Sequence, residues 1–74
     1  MDKARATGLF AKACGSGEAK GCFVAGLNYA NGEGVASNFV TAANYIRKAL
    51  AIDPNLADAR STLELLEKMQ REAK

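Results

Sequence analysis

Residues 25–35 have the sequence AGLNYANGEGV, and this stretch decides the architecture that we predict. Small and aromatic residues within this stretch and just before it lie at positions i, i+3, i+4 and i+7. This is the spacing of residues on one face of an α-helix. Asn31-Gly32-Glu33-Gly34 then ends that helix, since glycine adopts backbone conformations closed to other residues. We predict a helix from about Glu18 to Asn31, and its buried face consists of Cys22, Ala25, Gly26 and Tyr29.

The same signals predict three further helices, so the fold class is all-α. Helix one spans about Asp2 to Cys14 and ends at the turn Gly15-Ser16-Gly17. Helix three spans Asn38, a capping residue, to about Ile52. Helix four starts with Asp53 as N-cap and Pro54 at the first helical position, and extends to about Ala73. The predicted buried residues are Ala6, Leu9, Phe10 and Ala13 in helix one; Phe39, Ala42, Ala43, Ile46, Ala49 and Leu50 in helix three; and Leu56, Ala59, Leu63 and Leu66 in helix four.

Length and charge restrict the class of protein. Seventy-four residues form one domain (1–74), and a core of that size needs an additional constraint to be stable. The net charge of +2 comes from interspersed charges, which favours neither nucleic acid nor a membrane as partner. The pairs Glu64–Lys68 and Glu67–Arg71 are expected on a solvated face of helix four. No apolar run could span a membrane or serve as a signal peptide, so we expect a soluble, untargeted chain, or a segment of a longer exported protein.

An internal repeat relates helix one to helix three at an offset of 36 residues. A period in the mid-thirties built from helix, turn and helix is typical of a stacked helical solenoid, in which each hairpin packs against its neighbours. The aligned pairs are Ala6 with Ala42, Leu9 with Tyr45, Phe10 with Ile46, Lys12 with Lys48, Ala13 with Ala49, and Cys14 with Leu50.

The chain resembles a known repeat family at these residues. Ala25-Gly26-x-x-Tyr29-Ala30-Asn31-Gly32-x-Gly34-Val35, followed by an alanine ladder in helix three, is similar to one full Sel-1-like repeat, a variant of the tetratricopeptide repeat. The resemblance implies an α-solenoid of antiparallel hairpins with a right-handed superhelix. Residues 2–14 would be the second helix of a partial repeat, 18–52 the full repeat, and 53–73 a capping helix. Two residues depart from the family pattern, namely Ala25 in place of Leu and Glu64 in place of a small residue.

The two cysteines flank the first turn, because Cys14 ends helix one and Cys22 lies in the first turns of helix two. An antiparallel hairpin allows them to approach. Their spacing resembles the bacterial cysteine-rich subset of Sel-1-like proteins, which implies a disulfide between them. The alternative is two buried thiols. A disulfide predicts a periplasmic or secreted protein, and free thiols predict a cytoplasmic one.

Catalytic signals are weak. The chain has no histidine and no Cys-x-x-Cys, so neither a nucleophile activated by imidazole nor a zinc or redox site is expected, and we predict no enzymatic activity and no cofactor. Some cysteine-rich members of the resembled family bind or hydrolyse β-lactams. That lesser alternative needs a lysine three residues after a serine, yet Ala19, Val40 and Glu64 follow the three serines Ser16, Ser37 and Ser61 at that spacing.

The resemblance implies a protein-binding function on the concave face of the helical stack. By register, the inner positions in helix two are Lys20, Phe23, Leu27 and Asn31, and those in helix four are Asp58, Ser61, Leu65 and Lys68. An apolar floor with a charged rim suits a small interface with a peptide or partner protein. Core packing is the alternative role for Phe23 and Leu27.

Self-association is the alternative function. An isolated stack normally needs about three repeats, and helix one has no preceding partner in this chain. Leu9 and Phe10 would then stay uncovered, and a homodimer could bury them.

Overall fold

The protein is all-helical in a computed structural model that describes residues 3–72. Four helices follow one another along the chain: α1 (Lys3–Gly15), α2 (Ala19–Asn31), α3 (Phe39–Ile52) and α4 (Ala57–Glu72). The prediction of an all-α fold with four helices is confirmed. The predicted helix limits at Asp2 and Ala73 lie outside the described residues.

Helices that are consecutive in the sequence pack against each other. Helix α2 packs between α1 and α3, and α4 packs against α3. The molecule measures 32 × 27 × 15 Å, and the shortest dimension is little more than the diameter of one helix with its side chains. Few side chains can therefore be enclosed completely.

The core is built from small residues in two clusters. The first contains Ala42, Ala43 and Ile46 of α3 with Ala59 and Leu66 of α4. The second contains Cys14, Cys22 and Ala49. Ile46 is one of the largest fully buried side chains, with none of its surface exposed. Alanine and glycine let the helix backbones approach closely, so a thin molecule still achieves close packing.

Two helix ends match their predicted caps. The Oδ1 atom of Asn38 accepts a hydrogen bond from the Thr41 amide at 3.1 Å, so Asn38 caps α3 as predicted. Gly32 follows α2 with φ of 72°, the left-handed conformation expected of a glycine at a helix C-terminus.

The predicted start of helix four is wrong. Asp53 belongs to the end of α3, where its amide donates to the Ala49 carbonyl, and α4 begins only at Ala57. The Oδ1 atom of Asp53 accepts from the Asn55 amide at 3.1 Å. This local turn uses the carboxylate that an N-cap would need, and so the turn through Pro54 separates α3 from α4.

The predicted buried face of helix one is only partly covered. Thr7 and Cys14 are the buried residues of α1, whereas the predicted residues Leu9 and Phe10 are 62% and 37% exposed. Ala6 and Ala13 are half-buried, and Ala13 lies against Gly21 of α2. Within the described residues, α2 covers the side of α1 that carries Thr7 and Cys14, and the prediction is wrong for Leu9 and Phe10.

The charged face of α4 also differs from the prediction. Glu67 forms an ion pair with Arg47 of α3 at 3.0 Å, and the predicted pairs Glu67–Arg71 and Glu64–Lys68 are not formed within residues 3–72. Exposed pairs on one helix contribute little, so a partner across the interface can replace them.

Candidate functional site

The Cys14–Cys22 disulfide joins the end of α1 to the start of α2. The S–S distance is 2.04 Å and the two Cα atoms are 4.4 Å apart. Gly17 has φ of 90° in the intervening turn, a conformation that suits glycine. The disulfide implied by the family resemblance is present, and the free-thiol alternative is not what the structure contains.

The bond lies inside the hydrophobic core. Cys14 is 5% exposed and Cys22 is fully buried, and both pack with Ala49 of α3. Solution thiols therefore have little access to either sulfur. The bond acts as a cross-link between α1 and α2.

A buried hydroxyl fastens the loop between α2 and α3 to α1. Thr7 Oγ1 lies 2.9 Å from both the Lys3 and the Glu33 carbonyl oxygens, which share its single proton, and it accepts a hydrogen bond from Asn28 Nδ2 at 3.0 Å. Thr7 is 2% exposed. This network was not predicted, since a lone threonine in a helix gives no signal of a partner 26 residues away.

The loop also makes an ion pair with the first turn of α1. Lys3 Nζ lies 2.8 Å from Glu33 Oε2. The hydrogen bond to Glu33 and the attraction of its carboxylate raise the pKa of Lys3. Gly34 crosses the backbone of Lys3 and Ala4 so closely that a Cβ atom there would overlap it.

The predicted binding stripe of α2 is only partly open. Lys20 and Asn31 are exposed, and Leu27 is half-buried. Phe23 is half-buried too, and it packs against both core clusters. The core-packing role considered for Phe23 is therefore present, and a binding role for Phe23 stays a prediction.

The predicted binding stripe of α4 is open along its length. Asp58, Ser61 and Lys68 are exposed, and Leu65 is an apolar side chain with 56% of its surface exposed. Helices α2 and α4 each pack on α3 and have at most marginal contact with each other. The eight predicted residues thus lie on two separate helices. Phe23 of α2 packs against the core cluster that contains residues of α3 and α4, and so it connects α2 with that cluster.

A further surface feature lies on α3. Thr41, Asn44, Tyr45 and Lys48 line a shallow depression. Tyr45 stacks on Tyr29 of α2, with ring centroids 5.4 Å apart and planes 17° from parallel. The stack was not predicted, although both tyrosines belong to the repeat motif. It fixes the position of the Tyr45 ring at the edge of the depression.

Residues 3–72 contain no group of three His, Cys, Asp or Glu side chains that could hold a metal ion. In the same range, none of the four helices has both the length and the hydropathy needed to cross a lipid bilayer.

The fold and these surfaces define a small, disulfide-bonded, all-helical domain with exposed apolar side chains on α1, α3 and α4. Comparison with protein-family models, with curated proteins and with solved structures found no match to this chain.

Proposed function

We propose that this chain is a Sel-1-like helical-repeat module of the tetratricopeptide type, an α-solenoid with a right-handed superhelix. Three observations support the proposal. Each helix packs on the next in chain order, helix α1 repeats α3 at an offset of 36 residues, and the Ala25–Val35 motif ends in two glycines of positive φ. Residues 18–52 are the full repeat, 2–14 the second helix of a partial repeat, and 53–73 the capping segment.

We further propose that the module binds a peptide or partner protein on the surface formed by the α2 and α4 stripes, and that it has no catalytic step. The observation that carries this proposal is the exposure of Leu65. A leucine with 56% of its surface in water, between the polar residues Ser61 and Lys68, has the arrangement of an apolar anchor with a polar rim. Leu27 on α2 supplies the second apolar contact.

A selection from a library of random peptides displayed on phage tests the proposal. Peptides that bind the wild-type chain are then measured against Leu65→Asp. Val40→Asp is the matched control, because Val40 on α3 is 62% exposed and lies outside both stripes. We expect Leu65→Asp to weaken binding by about tenfold or more, a change of about 1.4 kcal/mol, and Val40→Asp to leave it unchanged.

The opposite pattern would exclude this surface. Selected peptides that bind Leu65→Asp and wild type equally well use another face. Circular dichroism of Leu65→Asp distinguishes loss of binding from loss of fold, and an exposed position makes unfolding of this variant unexpected.

The disulfide supports an oxidising compartment. Such bonds persist in the bacterial periplasm and outside cells, and they are rare in the cytosol. We propose that the module works in a periplasmic or secreted setting.

Self-association through α1 is a second proposal, and the exposure of Leu9 and Phe10 favours it. Two features of α1 oppose it. Residues 3–15 carry three basic residues and no acidic one, so α1 offers no carboxylate to pair with the basic side chains of a second copy. Two large apolar side chains also fall short of the roughly 800 Å² per partner that stable interfaces bury. Light scattering over a range of protein concentrations tests it, and a monomer throughout would exclude it.

A further inference from the structure

Helices α1 and α3 have related sequences, and equivalent positions on one side of both helices contact a neighbouring helix. Ala43 of α3 packs with Ala59 and Leu66 of α4. Its counterpart Thr7, 36 residues earlier, is bonded to Asn28 of α2. Each of the two helices thus uses this position to contact the helix that follows it.

On the other side the two helices differ. Ile46 of α3 has none of its surface exposed and packs against Gly26 of α2. Its counterpart Phe10 is 37% exposed, and Leu9, the counterpart of Tyr45, is 62% exposed. Leu9 and Phe10, which match the α2-facing residues Tyr45 and Ile46 of α3, are therefore uncovered within the described residues.

The α2–α3 interface shows what a complementary helix must carry. A Cβ atom on Gly26 would lie 2.5 Å from Cδ1 of Ile46, so the Ile46 side chain requires a glycine opposite it on α2. Three residues further on, Tyr29 stacks against Tyr45. Phe10 is larger than Ile46, so a helix that covers α1 needs the small residue at least as strictly.

Helix α4 of a second copy does not meet this requirement. The register that aligns Leu27 with Leu65 also aligns Gly26 with Glu64 and Tyr29 with Glu67. Docking α4 on α1 would press Glu64 against Phe10 and remove a carboxylate from water without a partner, which is costly. The molecule thus leaves Leu9 and Phe10 of α1 open, and Glu64 opposes head-to-tail stacking of α4 in this register.

We propose that the α1 stripe formed by Ala6, Leu9 and Phe10 docks an α-helix of a second protein, and that this helix carries glycine at the position facing Phe10 and an aromatic residue three positions later. The proposal continues an interface that the chain already forms between α2 and α3. It concerns α1 and is independent of the binding surface on α2 and α4.

The probe for this surface is a hydrocarbon-stapled peptide with the sequence of residues 19–32 and the change Cys22→Ser, the staple lying opposite Gly26 and Tyr29. The ¹⁵N-labelled chain is titrated with this peptide, and the changes in its amide chemical shifts in NMR spectra locate the binding site. We expect saturable shifts at the amides of the α1 stripe. A matched peptide with Gly26→Leu should bind at least about tenfold more weakly.

Two variants of the chain complete the test. Leu9→Asp should lose binding of the peptide, and Val40→Asp should keep it, because the two side chains have the same 62% exposure on different helices. Absence of saturable shifts at millimolar peptide would overturn the proposal. Shifts confined to α2 and α4, or equal binding of the Gly26→Leu peptide, would also overturn it. So would a dimer in light scattering that the Leu9→Asp change disrupts.

Discussion

Ile46 fills the space that Gly26 leaves by having no side chain. A Cβ atom at Gly26 would lie 2.5 Å from Cδ1 and 2.9 Å from Cγ1 of Ile46, and 3.0 Å from the Ala42 carbonyl oxygen. Ile46 is completely buried among core side chains, so it cannot turn into solvent to make room for that atom. The distance between α2 and α3 is therefore set by one glycine and one isoleucine.

Gly26→Ala should destabilise the protein although alanine favours helices. The better helix propensity contributes about 1 kcal/mol, and overpacking against Ile46 and the Ala42 carbonyl costs about 1–3 kcal/mol. In thermal unfolding we expect a lower midpoint. Gly8→Ala is the control, because a Cβ atom at Gly8 meets nothing within 4 Å, and it should raise the midpoint. Equal gains for both variants would contradict the packing seen here.

The two positive-φ glycines of the loop should respond differently to alanine. Gly32 (φ 72°) has no neighbour closer than 3.5 Å to a built Cβ atom, so Gly32→Ala has only the conformational cost of about 1–2 kcal/mol. Gly34 (φ 73°) has the additional overlap with the backbone of Lys3 and Ala4. Gly34→Ala should therefore lower the unfolding midpoint more, and faster hydrogen exchange in the first turn of α1 should accompany it. An equal loss in both variants would mean that the loop does not dock on α1.

Thr7→Val should remove the hydroxyl that joins α1, α2 and the loop. The change leaves the Glu33 carbonyl and the Asn28 side-chain amide without this partner, and we expect a loss of about 1–3 kcal/mol in the free energy of unfolding. Thr41→Val on α3 is the control and should change stability by less than about 0.5 kcal/mol, since Thr41 lines a surface depression. Denaturant unfolding of both variants measures the difference. Similar values would show that the Thr7 network contributes no more than a surface hydroxyl.

Loss of the disulfide should destabilise the domain by about 2.5 kcal/mol on the chain-entropy estimate for so short a loop. The double variant Cys14→Ala, Cys22→Ala measures this directly by denaturant unfolding. Because both sulfurs are nearly inaccessible, we also expect reduction of the wild type to be slow until the chain unfolds. The protein is incubated with a reductant and an alkylating agent, with and without denaturant, and its intact mass then follows the reduction. Rapid alkylation of the folded protein would argue against a buried bond.

Local signals predicted the helices well. The spacing of Cys22, Ala25 and Gly26 gave the buried face of α2, and the spacing in α3 gave its four buried residues. Asn38 and Gly32 gave the helix limits on either side of the loop, because capping depends on residues close in sequence. The resemblance to a repeat family implied the Cys14–Cys22 bond that the structure contains.

Other features depended on contacts that no local pattern records. Asp53 followed by Pro54 has the form of a helix start, yet its carboxylate closes a turn with Asn55 instead. The apolar stripe of α1 has the form of a buried face, yet Leu9 and Phe10 are exposed because, within residues 3–72, α2 packs on the side of α1 that carries Thr7. The pairing of Glu67 with Arg47 likewise depended on where α3 lies.

The sequence by itself determined the helices, their order and the first two turns between them, since propensity, capping and glycine act over a few residues. The tertiary structure decided how much of each apolar stripe is covered. Phe10 and Ile46 occupy equivalent positions in the repeat, and one is exposed while the other is buried. Burial depends on whether another helix is present on that side, and the spacing of residues within one helix does not contain that information.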